Sequence, residues 1–155
     1  MRPPASKSSS SASRPARWKV DDDLSYLLAR ASHVTSTAMH LEVRAAGLTV
    51  LEWRVLATLA DGRAANVSQL ASMALAEQST VTKLLGRLEA HGSIARSAVD
   101  HDRRQSLVRI TASGRKLVGP LLRRARRHAR HCIDGLGPRE ADLLKRALRQ
   151  LIDAR

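Results

Sequence analysis

The stretch from Ser68 to Ile110 constrains this chain most, because its residue pattern changes period partway along. A helical pattern over about Ser68 to Ala74 is followed by a turn at Leu75, Ala76 and Glu77. A second helical pattern covers about Ser79 to His91 and is closed by Gly92. Two short strands are then predicted, Ile94 to Ala98 and Ser106 to Ile110. In the second, Ser106, Val108 and Ile110 alternate with Leu107 and Arg109. The polar run Asp100-His101-Asp102-Arg103-Arg104 between them reads as a hairpin loop.

The helix over Ser79 to His91 carries the most chemistry. Val81, Leu84, Leu85 and Leu88 recur at i, i+3, i+4 and i+7 and predict one buried face. At about 100° per residue, Ser79, Lys83, Gly86 and Ala90 point the other way, with Thr80, Thr82 and Arg87 on the flanks. That outward face is short, polar and basic. It suits a helix laid in a DNA major groove, where Lys or Arg meets guanine and Ser or Thr meets a base or a phosphate. An ordinary amphipathic surface helix would show the same alternation. The basic hairpin decides for DNA: Arg103 and Arg104 at its tip reach phosphates or a narrow minor groove, with Asp102 holding one of them by a charge-assisted bond.

The charge agrees. The 155 residues hold 27 Lys and Arg against 14 Asp and Glu, a formal net charge of +13, which favours a polyanionic partner. Phe is absent and aromatics are 2% of the chain, so the core is built from Leu, Val, Ile and Ala, a composition that packs as helices and gains from a dimer. One Cys excludes an internal disulfide framework and fits a reducing compartment. No apolar run spans a bilayer and the N-terminus has no secretory h-region, so the expected place is the cytoplasm, away from membranes.

Around this stretch the rest is helical. Residues 1–18, basic and rich in Ser and Pro, are expected to be a disordered tail. A first helix is predicted from about Asp22 to Ala46, led by Asp21, Asp22 and Asp23, with Leu24, Leu27, Leu28, Ala31, Val34, Ala38 and Leu41 as one buried stripe. Thr49-Val50-Leu51-Glu52 reads as a capping box opening a second helix. A fifth helix runs from about Thr111 to Cys132, kinked or loosened at Gly119-Pro120. Its cations are expected to be solvated, with some pairing to Glu140 and Asp142 of a sixth helix. That sixth helix places Leu143, Leu144, Ala147, Leu148, Leu151 and Ile152 on one face.

These segments resemble the MarR family of transcriptional regulators. Leu48-Thr49-Val50-Leu51-Glu52-Trp53-Arg54-Val55-Leu56 is similar to its second-helix signature, and Ser79 to Glu89 to its recognition helix. Asp102-Arg103-Arg104, Val108, Ile110-Thr111 and Gly114 are similar to its wing pattern. Gly86, where the family usually has Asp, and Ser93-Ile94-Ala95 depart from it. The resemblance implies a mainly α fold with a small β-hairpin wing: a winged helix-turn-helix over about 48–111, with dimerisation helices over about 21–46 and 112–155. It implies a homodimer on double-stranded DNA reading a pseudo-palindrome. Ser79, Thr80, Thr82, Lys83 and Arg87 would make groove contacts, Arg104 would enter the minor groove, and Asp102 would be its partner. A non-specific architectural nucleic-acid binder is the alternative.

A second stripe on the first helix, Tyr26, Arg30, His33, Thr37 and His40, offers a cation, two imidazoles and an aromatic ring. With Trp53 as a wall it suits an anionic aromatic molecule; a solvated helix face is the competing reading. The resemblance favours an aromatic carboxylate effector. Tyr26-Leu27-Leu28-Ala29-Arg30-Ala31-Ser32-His33 is similar to the branch repressing nicotinic-acid degradation, which implies 6-hydroxynicotinate. No histidine set has zinc-motif spacing, no cofactor is expected, Cys132 reads as packing, and no catalytic motif is found, so an enzyme is not expected.

Overall fold

The computed structural model describes residues 19–99 and 102–154, including all their side chains except those of 98, 99 and 102–105. The expected tail, residues 1–18, lies outside the described residues. The chain divides between His33 and Val34 into two compact units.

The first unit holds a 3-10 turn, Val20–Asp22, and the beginning of α1, Leu24–Ala45. The aspartates precede the helix rather than enter it. Asp23 caps it, its side chain accepting from the Tyr26 N–H at 2.9 Å.

In the second unit, α2 (Val50–Leu59) opens with the capping box: Thr49 Oγ1 accepts from the Glu52 N–H at 3.1 Å, and Glu52 accepts from the Thr49 N–H at 2.8 Å. A second box, Asn66 with Gln69, opens α3 (Val67–Ala74) one residue before the sequence pattern suggests. Then come α4 (Gln78–Ala90), β1 (Ile94–Val99), β2 (Asp102–Ile110), α5 (Ala112–His131) and α6 (Pro138–Asp153). The fold is mostly helical with a two-stranded antiparallel hairpin, a winged helix-turn-helix. Helix α5 runs on through Pro120.

The core lies under the helix-turn-helix. Val55, Leu56 and Leu59 of α2, Leu70 and Ala74 of α3, and Val81, Leu84, Leu85 and Leu88 of α4 pack with Ile94, Val108 and Ile110 of the hairpin. Ala65, between α2 and α3, exchanges both backbone hydrogen bonds with Val108, tying the hairpin to that core. Thr111 then fastens the hairpin's exit. Its side chain donates to the Gly92 carbonyl at 2.7 Å and accepts from the Gly114 N–H at 3.0 Å. A side chain at Gly114 would put its Cβ 2.1 Å from the Ser93 carbonyl oxygen, so only glycine fits there.

The sequence reading of α1 needs correction. Leu24, Leu27, Leu28, Val34 and Leu41 are exposed in this single chain; Met39 and Val43 are the buried residues. The helix therefore has three faces: the inward one of Met39 and Val43, with the leucine stripe and the polar stripe each about 120° away. Helix α6 likewise exposes Leu143, Leu144, Leu151 and Ile152 and buries Ala141. Among the described residues no helix is long and apolar enough to cross a membrane.

Candidate nucleic-acid interface and effector cavity

Helix α4 has the two faces its spacing predicts. Val81, Leu84, Leu85 and Leu88 are at most 4% exposed, while Ser79, Thr80, Thr82, Lys83, Gly86 and Arg87 all face solvent. The polar row is continuous, and nothing lies within 4 Å of where a Cβ on Gly86 would sit. Thr82 is partly committed: its hydroxyl donates to the Gln78 carbonyl at 2.8 Å, so towards a base or phosphate it retains only acceptor capacity. The helix starts at Glu77 without a side-chain cap.

The turn before α4 has an unusual backbone. Leu75 adopts φ +56°, and its N–H bonds the Ser72 carbonyl at 3.2 Å. It ends α3 in the left-handed conformation that favours glycine, with its side chain 79% exposed. Arg54 of α2 donates to the Ala74 carbonyl beside it at 3.1 Å, so α2 braces the same turn.

The hairpin differs from its sequence reading. Residues 102–104 belong to β2, not to a loop, because pairing continues past Ser106. Ala98 lies opposite Ser106 and Val99 opposite Asp102, so residues 103–105 form a bulge. A bulge bends a strand and re-aims its residues, which puts Arg103 and Arg104 at the distorted end of the wing. The side chains of Asp102, Arg103 and Arg104 lie outside those described. At the wing's base, Arg96 Nε is 3.1 Å from Glu89 Oε2, an ion pair without hydrogen-bond alignment that joins β1 to α4.

The second unit also contains a cavity of about 540 Å³ between α1, α2, α5 and α6. Of the six residues expected to bind a ligand, His40 and Trp53 line it, and Thr37 does not. Tyr26, Arg30 and His33 belong to the first unit, where the Arg30 guanidinium stands 5.9 Å from the Tyr26 ring centroid. The cavity takes its α1 wall from Thr35, Ser36, Met39 and His40, the residues on and beside the inward face. Sequence reasoning missed Arg54, His128, Arg130 and Lys145, which make the lining cationic. The i, i+4 pair His128 and Cys132 was a readable signal for an α5 wall: both line the cavity, with Cys132 Sγ 3.4 Å from His128 Nε2. That nitrogen donates to the Thr35 carbonyl at 2.6 Å, joining α5 to α1. Burial, then Arg54 and Arg44, hold the His40 pKa below the ordinary imidazole value. Arg124 pairs with Glu42 of α1, not with the α6 acids expected from sequence.

Comparison with known proteins gives a consistent pattern. The MarR family profile matches residues 46–105. The MarR family transcriptional regulator SPO1453 from Silicibacter pomeroyi DSS-3 is 39% identical, with a TM-score of 0.76 over 88% of this chain and 98% of that one. The transcriptional activatory protein BadR of Rhodopseudomonas palustris is 38% identical over 93 residues, 58% of this chain but only 51% of that protein. A structure concerning regulation of DNA binding of Bordetella bronchiseptica BpsR by 6-hydroxynicotinic acid is 28% identical, with a TM-score of 0.75 over 89% and 99% of the two chains.

Proposed function

This chain belongs to the MarR family of transcriptional regulators, and on that premise we propose that it is a sequence-specific repressor, a homodimer on a pseudo-palindromic operator released by a small aromatic acid. The observation that carries the proposal is the solvent-facing row on α4, Ser79, Thr80, Thr82, Lys83 and Arg87, opposite four buried aliphatic residues. A helix so divided is held rigidly by its core and offers donors to a groove without rearrangement.

In this reading Lys83 and Arg87 meet guanine edges or phosphates, and Ser79 and Thr80 meet backbone or base. Arg104 enters the minor groove, with Arg103 on phosphate and Asp102 orienting the wing. The exposed leucine faces of α1 and α6 supply the dimer contact, and two α4 helices then lie about one DNA turn apart, roughly 10 bp. Cytoplasmic residence follows from this role.

The effector reading rests on the cavity. Its volume of about 540 Å³ is right for a small ligand, with Trp53 and Met39 as apolar wall. Arg54, Lys145 and His40 would hold a carboxylate. BpsR supplies 6-hydroxynicotinate as the first compound to test. Binding would favour the dimer state whose α4 helices no longer match the half-site spacing.

A competition shift assay tests the DNA reading. A repressor prefers its selected palindrome over bulk DNA by about a thousand-fold or more, whereas an architectural protein shows no such preference. Lys83→Ala should weaken operator binding without unfolding the protein. Arg104→Ala should also lower the salt slope by about one unit. If both variants bind as the parent does, the docking is wrong. Calorimetry with aromatic acids tests the cavity, and binding unchanged in Arg54→Ala and His40→Ala would remove it as the effector site.

A further inference from the structure

The positive charge of this protein is concentrated away from the elements that read a groove. Residues 48–110, which contain α2 to β2, carry eight Lys and Arg against six Asp and Glu. Residues 112–154, which contain α5 and α6, carry eleven against four. Operator reading by α4 and the wing does not account for that excess.

Much of it forms one line. Lys116, Arg123, Arg127 and Arg130 on α5 are separated by seven, four and three residues, so they share a face. That face is opposite Gly114, Val118 and Leu121, the buried residues of the helix, and all four cations are exposed. At 1.5 Å per residue the row is about 21 Å long. Helix α5 contains no acid to offset it. Among the described residues, Arg124 is the α5 arginine with an ion pair, to Glu42, and it lies off this row. Arginines three and four apart on one helix repel one another and destabilise it. Placement towards the helix C-terminus relieves part of this repulsion, since the dipole there favours cations, but Lys116 and Arg123 lie too far from that end to benefit.

We propose that this row is a second DNA-binding surface, which holds the backbone of a duplex other than the one read by α4. The chemistry selects the partner. Protein interfaces are centred on apolar and aromatic anchors, and no exposed Leu, Met or aromatic residue lies within this row. A row of point charges without anchors recognises charge density rather than shape. Double-stranded DNA presents one negative charge about every 1.7 Å of axis with both strands counted, so about a dozen phosphates lie along about 21 Å of duplex and only part of them face the row. Binding there is independent of sequence and sensitive to salt. The dimer would carry the row twice and join an operator-bound complex to a second DNA segment.

The test uses the full chain, an immobilised short duplex selected from a random pool, and a labelled second duplex of unrelated sequence. The wild type, saturating the first duplex, should capture the second at about 50 mM salt and release it as salt rises. Lys116→Gln/Arg123→Gln/Arg127→Gln should lose capture at least ten-fold and keep affinity for the selected duplex within about two-fold. Its residual salt slope should fall by about three, one unit per charge removed. No capture by the wild type, or equal capture by the triple variant, overturns the proposal. So does a triple variant that loses affinity only for longer versions of the first duplex, which would assign the row to flanking DNA. A triple variant that no longer dimerises in sedimentation would assign it to the partner subunit's acids. Lys83→Ala/Arg87→Ala, titrated in solution with the unrelated duplex at about 50 mM salt, keeps the outcomes separate: failure of groove reading lowers affinity for the selected duplex and leaves binding of the unrelated duplex through the α5 row.

Discussion

Replacing Gly86 by Ala should stabilise the protein. Gly86 lies inside α4, at negative φ, on the solvent side between Lys83 and Ala90. A Cβ there meets nothing within 4 Å, so the substitution neither overpacks nor fills a void. What remains is the backbone: glycine loses more freedom than alanine when helix forms, about 0.8–1.0 kcal/mol in an exposed helix interior. The expected gain is therefore about 1 kcal/mol per chain, and about 3 °C in Tm for a protein of this size. Gly92 is the control. It too has open space around its Cβ position, but its φ is +67°. Gly92→Ala should lose about 1 kcal/mol, since alanine pays for the left-handed conformation. The two variants differ in backbone conformation and not in packing. Guanidinium unfolding at one fixed protein concentration gives the comparison, because dimer stability depends on concentration. A Gly86→Ala midpoint equal to or below that of the parent, at unchanged m, would refute the reasoning, as would Gly92→Ala behaving like Gly86→Ala.

Leu75→Gly is the converse case: removing a left-handed leucine that is 79% exposed should raise stability by about 1 kcal/mol, measured by the same unfolding curves. Gly114→Ala should cost about 1–3 kcal/mol, because its Cβ would lie 2.1 Å from the Ser93 carbonyl oxygen; a stability equal to the parent's would show that α5 can move away freely. His40 should make stability fall with acid. Its folded pKa is depressed, so as pH drops through about 6.5 the unfolded chain takes up a proton that the folded chain resists, and His40→Gln should flatten that part of the stability–pH curve. An aromatic carboxylate beside His40 would favour the imidazolium, so calorimetry in buffers of different ionisation heat should record proton uptake on binding near pH 6.5.

How much was legible in the sequence depended on the range of the interaction. Thr49 and Glu52 sit three apart, and a three-residue spacing is itself the geometry of a capping box, so the start of α2 could be read directly. The four aliphatic residues of α4 share a face because of helical period alone, which is why the outward set from Ser79 to Arg87 was readable. The cap of α3 by Asn66 had the same local signature and went unread. Other features depended on contacts across the chain. Two stripes of α1 were visible as patterns, yet the inward face is the one with Met39 and Val43, chosen by packing against Leu121 of α5. That rotation took Thr37 off the cavity wall and brought in Arg54, His128 and Lys145 from three other helices. The wing bulge depends on which residues of two strands stand opposite, and Arg124 pairs with Glu42 across 82 positions of sequence. Helical period, caps and the total charge are properties of neighbouring residues or of composition, and the sequence alone determined them. The choice of buried face, the cavity and the pairing of Arg124 with Glu42 arise between distant segments, and only tertiary packing decided them.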